Sequence, residues 1–187
     1  MNIKLMKSLV LLSLFVSQFV FAQTDADLQK IKSILLENFP ENIQFISYEH
    51  NQIELKDTMY FRFHRPEIEI SQDSIHFSYI KEDKDWNENF SRFEKLEWNL
   101  AFKDLNQFFG FEFTFGNWDR FRPNLLYWNF EGEETKVRIT ELTLEEFQNN
   151  QIPENKSTEY EHSAWFPTKI QSHWKLEKVI NKLIKKR

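Results

Sequence analysis

The stretch TMYFRFHRPEIEISQDSIHFSYI, residues 58–80, decides the fold class of this protein. Apolar and polar side chains alternate along it, and turn-forming residues interrupt the alternation at Arg65-Pro66 and Gln72-Asp73. The apolar members are Met59, Phe61, Phe63, Ile68, Ile70, Ile75, Phe77 and Tyr79. A period of two is typical of β-strands that place one face on a core and the other in water. The stretch therefore predicts neighbouring antiparallel strands over one core.

The same alternation continues on both sides of this stretch. Upstream, Ile53 and Leu55 alternate with polar residues, and turn signals stand at His50-Asn51 and Lys56-Asp57. Downstream, the pattern predicts strands over residues 92–105, 109–115, 124–130, 135–142 and 160–166, with a connection at Glu131-Gly132-Glu133. Residues 92–105 also fit a helix, but their alternation is cleaner than their helical spacing. Eight or nine strands are expected in a strongly bent antiparallel sheet or a partly open barrel or sandwich.

A helix is predicted at each end of the sheet, which makes the fold class α+β. Residues 24–39, TDADLQKIKSILLENF, place Leu28, Ile31, Leu35 and Phe39 at helical spacing, and Pro40 ends the run. A short capped turn is expected at Thr143-x-x-Glu146. The closing helix begins near Thr168 or Ser172, and its apolar stripe is Trp174, Leu176, Val179, Ile180, Leu183 and Ile184. We expect this stripe to pack across the sheet, and a helix lying on a membrane is the alternative.

Residues 1–22, MNIKLMKSLVLLSLFVSQFVFA, have the layout of a secretory signal peptide with cleavage after Ala22. An uncleaved anchor is the alternative, although the apolar run is short for a membrane span. The chain has no cysteine, which excludes disulfides and thiolate metal sites. We expect an exported protein, periplasmic or extracellular, with an N-terminal helix at 23–41 and a single β-rich domain at 42–187. No transmembrane span is expected after signal cleavage.

The charge balance is acidic, with 24 Lys and Arg against 29 Asp and Glu and a formal net charge of −5. No basic patch for nucleic acid is visible, so no nucleic-acid partner is expected. The chain has only three glycines, and they form no phosphate-binding or dinucleotide fingerprint. No catalytic residue and no cofactor are predicted, and enzymatic activity is not expected, although a hydrolase with paired carboxylates is a remote alternative.

Two histidines raise the question of a metal site. His64 and His76 lie on the polar faces of neighbouring predicted strands, where pairing could bring them together with Glu67 or Glu69. We expect solvent-facing histidines instead, and no metal is predicted.

The chain resembles small exported proteins of Bacteroidota that carry a pleckstrin-homology-like sandwich. The resemblance rests on a leader ending in FAQ, on LAFKDLNQF at residues 100–108, and on a closing helix with LEKVINKLIKK at 176–186. It could cover most of residues 42–187. It implies a fold and an exported location, and it implies no catalytic residues.

The aromatic run FFGFEFTFGNWDRF, residues 108–121, suggests two candidate sites. Phe109, Phe111, Phe113 and Phe115 share one strand face, which we expect to turn inward and pack on the closing helix around Trp174 and Ile180. The turn beyond it carries Trp118, Arg120 and Arg122, which with Trp128 form the candidate ligand-binding set. Trp128 is included as an exposed ring able to stack on a ligand.

Two classes of function follow from these observations. The first is a noncatalytic exported binding or interaction domain that meets a protein or an envelope component. The alternative is a carrier of a small apolar ligand, such as a lipid, in a pocket lined by Trp98, Phe102, Phe111 and Phe113.

Overall fold

The computed structural model describes residues 25–51, 54–85, 91–113, 125–153, 157–169 and 174–185. The helices of this part are α1 (25–37), α2 (Leu144–Asn149) and α3 (Trp174–Ile184), and a 3₁₀ turn spans Phe102–Asp104. The strands are β1 (Phe45–Asn51), β2 (Glu54–Ile70), β3 (Ser74–Asp85), β4 (Arg92–Ala101), β5 (Leu105–Phe113), β6 (Leu125–Leu142) and β7 (Ser157–Thr168). The predicted signal peptide lies outside the described residues.

All strand pairs are antiparallel, and they form an open sheet in the order β1-β2-β3-β4-β6-β5, with β7 also paired to β6. The long strand β6 pairs with β4 through 137–142 and with β5 through 125–132. β7 pairs with both halves of β6 and so occupies its other edge. The Tyr79 hydroxyl on β3 donates to the Trp165 carbonyl on β7 over 3.1 Å, so the sheet bends until non-neighbouring strands meet. The expected mostly antiparallel α+β architecture with an open sheet is confirmed.

The described residues contain seven strands instead of eight or nine. Two predicted breaks in β2 and one in β6 are wrong, and β1 lies upstream of the predicted run at Ile53 and Leu55. β2 runs through Lys56-Asp57 and through Arg65-Pro66 without turning back. Arg65 has φ 51°, and the register with β3 shifts between His64 and Glu67, which is the geometry of a bulge. A bulge accepts Pro66, which has no N–H for the ladder.

β6 contains a similar irregularity where the sequence predicted a connection. Its register with β7 shifts between Glu131 and Thr135, and the strand continues across Gly132. A Cβ at Gly132 would stand 2.8 Å from the Asp104 carbonyl oxygen. The glycine is therefore needed for the close approach of two backbones, and it does not end the strand.

The core is aromatic and lies between the bent sheet and the helices. The four predicted core residues of α1 and its end, Leu28, Ile31, Leu35 and Phe39, are all buried. The Phe39 ring lies 5.2–6.3 Å from the rings of Phe63, Tyr79 and Phe166, which belong to three different strands. The predicted inward face of β3 is confirmed by the burial of Ile75, Phe77 and Tyr79.

The predicted orientation of the phenylalanine row in β5 is wrong at Phe109. Phe108 is the fully buried ring, stacked on Trp128 at 5.1 Å, whereas Phe109 is half-buried. The cause is a register shift between Leu105 and Gln107, which allows Leu105 and Phe108, three residues apart, both to be buried. Simple alternation could not reveal this change of phase.

Helix α3 packs on β5 through Leu176, Ile180 and Ile184, which are buried at a spacing of four residues. Ile180 is therefore in the core as predicted, but the prediction for Trp174 is wrong, because this ring is 65% exposed. Asn181 ties the helix to the strand: its Nδ2 donates to the Phe108 carbonyl over 2.8 Å, and its Oδ1 accepts from the Phe108 N–H over 2.9 Å. Among the described helices, none has the length and apolarity of a membrane span.

Candidate functional site

A polar cleft lies on the side of β2 and β3 that faces away from the aromatic core. The register pairs Tyr60 with Lys84 and Arg62 with Glu82, and the intervening Phe63 on β2 is buried. Directly opposite residues on antiparallel strands have Cβ atoms about 4.5–5.5 Å apart, so these four side chains form one compact group. The alternation that buries Phe63 thus also collects a tyrosine, two cations and an acid on the other face.

The cleft has a volume of about 450 Å³. Its lining residues are Gln44, Tyr60, Arg62, Glu82, Lys84 and Ser91. Gln44 precedes β1 and Ser91 precedes β4, so segments from four parts of the fold surround the group on β2 and β3. A volume of this size suits a small molecule or one chemical group of a larger partner.

Glu82 is the acid of the cleft, and both of its oxygens are engaged. Oε1 accepts from the Ser91 hydroxyl over 2.8 Å, and Oε2 lies 2.8 Å from His64 Nε2. The other ring nitrogen of His64 lies 3.0 Å from Asn42 Oδ1. These contacts hold the carboxylate to one side of the cleft and satisfy it within the protein.

Among the described residues, neither cation of the cleft forms an ion pair. Arg62 donates from Nη2 to the amide oxygen of Gln44 over 2.7 Å, a contact that orients the guanidinium but adds no negative charge. Lys84 is half-buried, and within the part of the chain described here it has no ion-pair or hydrogen-bond partner. The cleft therefore carries a local positive excess on a chain of net charge −5, which is the electrostatic character of a site for an anion.

Helix α2 supports this face from the neighbouring side. Thr143 and Glu146 form a complete capping box, as the sequence predicted. The Phe147 ring of α2 stacks on Phe93 at 4.3 Å and meets the His64 ring at 5.2 Å. His64 is thereby fixed between Phe147 and the carboxylate, which also fixes the position of Glu82.

The structure brings few of the predicted site residues together. Trp118, Arg120 and Arg122 lie outside the described residues. The prediction of an exposed Trp128 is wrong: its side chain is fully buried, because the bulge in β5 places Phe108 directly against it.

The residues proposed for an apolar pocket have mixed outcomes. Trp98 and Phe102 are both 2% exposed, and the Trp98 ring stacks on Phe77 at 4.9 Å. Among the described residues, both side chains are packed in the core, where they line no open pocket. Phe111 and Phe113 belong to β5, and their side chains lie outside the described part of the structure.

The two histidines considered for a metal site are not brought together. His64 pairs with Ile80, and His76 pairs with Glu69 further along the same two strands. Within the described residues, no cluster of three or more histidine and acidic side chains could hold a metal ion.

Sequence reasoning missed the cleft, although part of its signal was present. Tyr60, Arg62 and His64 are the polar positions of an alternating strand pattern, but Glu82 and Lys84 belong to the charged run KEDKDWNENFS, residues 81–91, which indicates a loop. The first part of that run continues β3 to Asp85, and the register of β2 with β3 then places Lys84 opposite Tyr60 and diagonally across from Arg62.

In comparisons with protein families, curated proteins and solved structures, no family model, no curated protein and no solved structure matches this chain.

Proposed function

We propose that this protein is a noncatalytic exported binding domain that holds an anionic group of its partner in the cleft between β2 and β3. The partner is an envelope component or a protein that presents a carboxylate or a phosphate group. The pleckstrin-homology-like layout belongs to the same proposal. It is supported by seven antiparallel strands followed by a helix in the described part of the chain.

The observation that carries the proposal is Lys84, which has no ion-pair or hydrogen-bond partner among the described residues and lies diagonally across from Arg62 in a cleft of about 450 Å³. A half-buried ammonium group without a protein partner gains most from an anion that enters the cleft. Arg62, already oriented by Gln44, presents its remaining N–H groups to the same anion. The Tyr60 and Ser91 side chains add hydroxyl groups at the rim for the rest of the ligand.

The arrangement around Ser91 supports a binding role over catalysis. In a hydrolytic triad the histidine lies between the serine and the acid, where it can accept the serine proton. Here Glu82 lies between Ser91 and His64, and the two residues contact different oxygens of its carboxylate. In the described contacts Ser91 and His64 each bond to the carboxylate, an order that differs from the triad and that orients polar groups along the cleft.

Isothermal titration calorimetry with three matched sugars tests the proposal. D-glucuronate offers a carboxylate, glucose 6-phosphate offers a phosphate, and glucose offers the same ring without charge. We expect at least one of the two anions to bind and glucose to show no binding. Lys84→Gln should weaken anion binding by about 10-fold or more, the usual effect of losing one charge-assisted hydrogen bond.

The matched control is Lys30→Gln, which removes the same charge from an exposed position of α1. This variant should bind as the unmodified protein does. Equal binding of glucose, or no binding of either anion at millimolar concentration, would contradict an anion site in the cleft. Turnover of ester, glycoside or phosphate substrates that is lost in Ser91→Ala would contradict the noncatalytic assignment.

A further inference from the structure

We propose that the outward face of α3 docks on an anionic membrane surface. The proposal concerns a different element from the cleft and stands independently of the proposed function. It also differs from the idea of a helix inserting its main apolar stripe, because Leu176, Ile180 and Ile184 of that stripe are buried against the domain.

The side of α3 opposite this stripe is strongly cationic. At 100° per residue, its exposed side chains fall on one continuous face of the helix. They are Trp174, Lys175, Lys178, Val179, Lys182 and, just beyond the last helical residue, Lys185. This face holds four lysines and no acid, since Glu177, the acidic residue of the helix, is half-buried on the other side. A face with lysines and no acidic residue is the opposite of the whole chain, whose net charge is −5.

The lysines lack neutralising partners in the part of the chain that the structure describes. Lys178, Lys182 and Lys185 form no ion pair or hydrogen bond there, and Lys175 lies 5.5 Å from the centre of the Trp174 ring. Lys178 and Lys182 are four residues apart, a spacing at which like charges destabilise a helix. The helix dipole explains cations in the last turn, but it disfavours Lys175 in the first turn. An external anionic surface would stabilise the whole set.

Two apolar side chains on the same face identify that surface as a lipid one. Trp174 is 65% exposed and Val179 is 38% exposed, and they flank the lysines on opposite sides. Tryptophan is the residue that favours the headgroup level of a membrane. A soluble polyanion would need only the lysines, whereas a bilayer accepts both the charges and the two apolar side chains. With two apolar residues, insertion is shallow, and binding is expected to depend mainly on charge.

Vesicle co-sedimentation tests the proposal on protein purified from cells that express the full chain. The vesicles are phosphatidylcholine alone or phosphatidylcholine with about a third phosphatidylglycerol. The readout is the difference between them, so that any charge-independent apolar binding cancels. We expect preferential binding to the anionic vesicles that is lost in 0.5 M salt, because added salt screens exposed charges.

Charge variants on α3 make the assignment specific. The double variant Lys178→Gln with Lys182→Gln should reduce the preference for anionic vesicles about 20- to 30-fold, because each lysine near an anionic leaflet strengthens binding roughly fivefold. Lys178→Arg with Lys182→Arg should retain it. Lys30→Gln with Lys136→Gln, which removes two exposed charges on α1 and β6, should have no effect. Brominated lipids should quench part of the tryptophan fluorescence, and Trp174→Phe should remove that part.

Each remaining outcome would overturn the proposal. Equal binding to neutral and anionic vesicles would exclude the charge-based mechanism. Binding to heparin without binding to vesicles would assign the lysine face to a soluble polyanion. An equal loss of binding in the α3 variant and the Lys30 and Lys136 control would show an effect of net charge alone. Circular dichroism melts of each variant confirm that folding is retained.

Discussion

The amide of Asn181 gives the sharpest test of how α3 is held. It makes two hydrogen bonds to the backbone of Phe108, on the edge of β5 that faces away from β6. Each is worth roughly 1 kcal/mol net in a partly buried setting, so Asn181→Ala loses about 2 kcal/mol. Alanine regains roughly 0.5 kcal/mol through its higher helix propensity. The net loss of about 1.5 kcal/mol corresponds to a Tm lower by about 3–6 °C in a protein of this size.

Thermal melts give the size of the effect, and hydrogen exchange gives its location. The amide of Phe108 should exchange faster in Asn181→Ala, whereas amides of β2 and β3 should change much less. Asn181→Asp is the matched variant, because it keeps an acceptor for the Phe108 N–H but replaces the donor with an oxygen that repels the Phe108 carbonyl. An unchanged Tm in both variants, with normal protection at Phe108, would refute the role assigned to this side chain.

Three further predictions follow from the core and the caps. Phe77→Ala should destabilise the fold by about 3–5 kcal/mol in chemical denaturation, because it removes a fully buried ring; a loss under 1 kcal/mol would mean that the core is not packed as described. Gly132→Ala should cost about 1–3 kcal/mol, because the new methyl would stand 2.8 Å from the Asp104 carbonyl; an unaffected midpoint would contradict that close approach. Hydrogen bonds from the backbone and side chain of Thr143 lower the pKa of Glu146 below its ordinary value of 4.5. The ionised carboxylate therefore stabilises α2 above pH 4.5, and this stabilisation is lost as the pH falls through the lowered pKa. Carboxyl NMR titration of Thr143→Ala should show this pKa moving back upward but not fully, because the backbone donor remains, and no movement would contradict the cap.

The spacing of apolar side chains along the sequence predicted which helices and strands form better than it predicted where they begin and end. The alternation in β3 and the stripe of α1 each bury the residues expected, because one face of each element lies on the core. Alternation does not show where a strand shifts phase. Arg65-Pro66 and Gly132 are turn-forming residues in isolation, yet here they lie at irregularities inside long strands. Whether such a residue turns the chain or bends a strand depends on pairing partners that are distant in the sequence.

The candidate site was less predictable, since its residues come from separate strands. Lys84 and Arg62 are 22 positions apart, and only the register of β2 with β3 makes them neighbours. The prediction of an exposed Trp128 is wrong because of the size of its ring. Trp128 carries a polar N–H that favours a surface position, but the large apolar ring is buried fully against Phe108. In this chain, with 17% aromatic residues, aromatic side chains form much of the hydrophobic core.

The position of β6 has a consequence for how this molecule opens. A strand at the margin can separate by breaking one ladder, but β6 has partners along both edges over most of its length. Its amides should therefore exchange only in the rarest openings, close to global unfolding, whereas β1 should open in smaller local events. The order of unfolding then runs from the β1 end of the sheet toward β6. A single strand that belongs to both halves of the sheet makes those halves one cooperative unit.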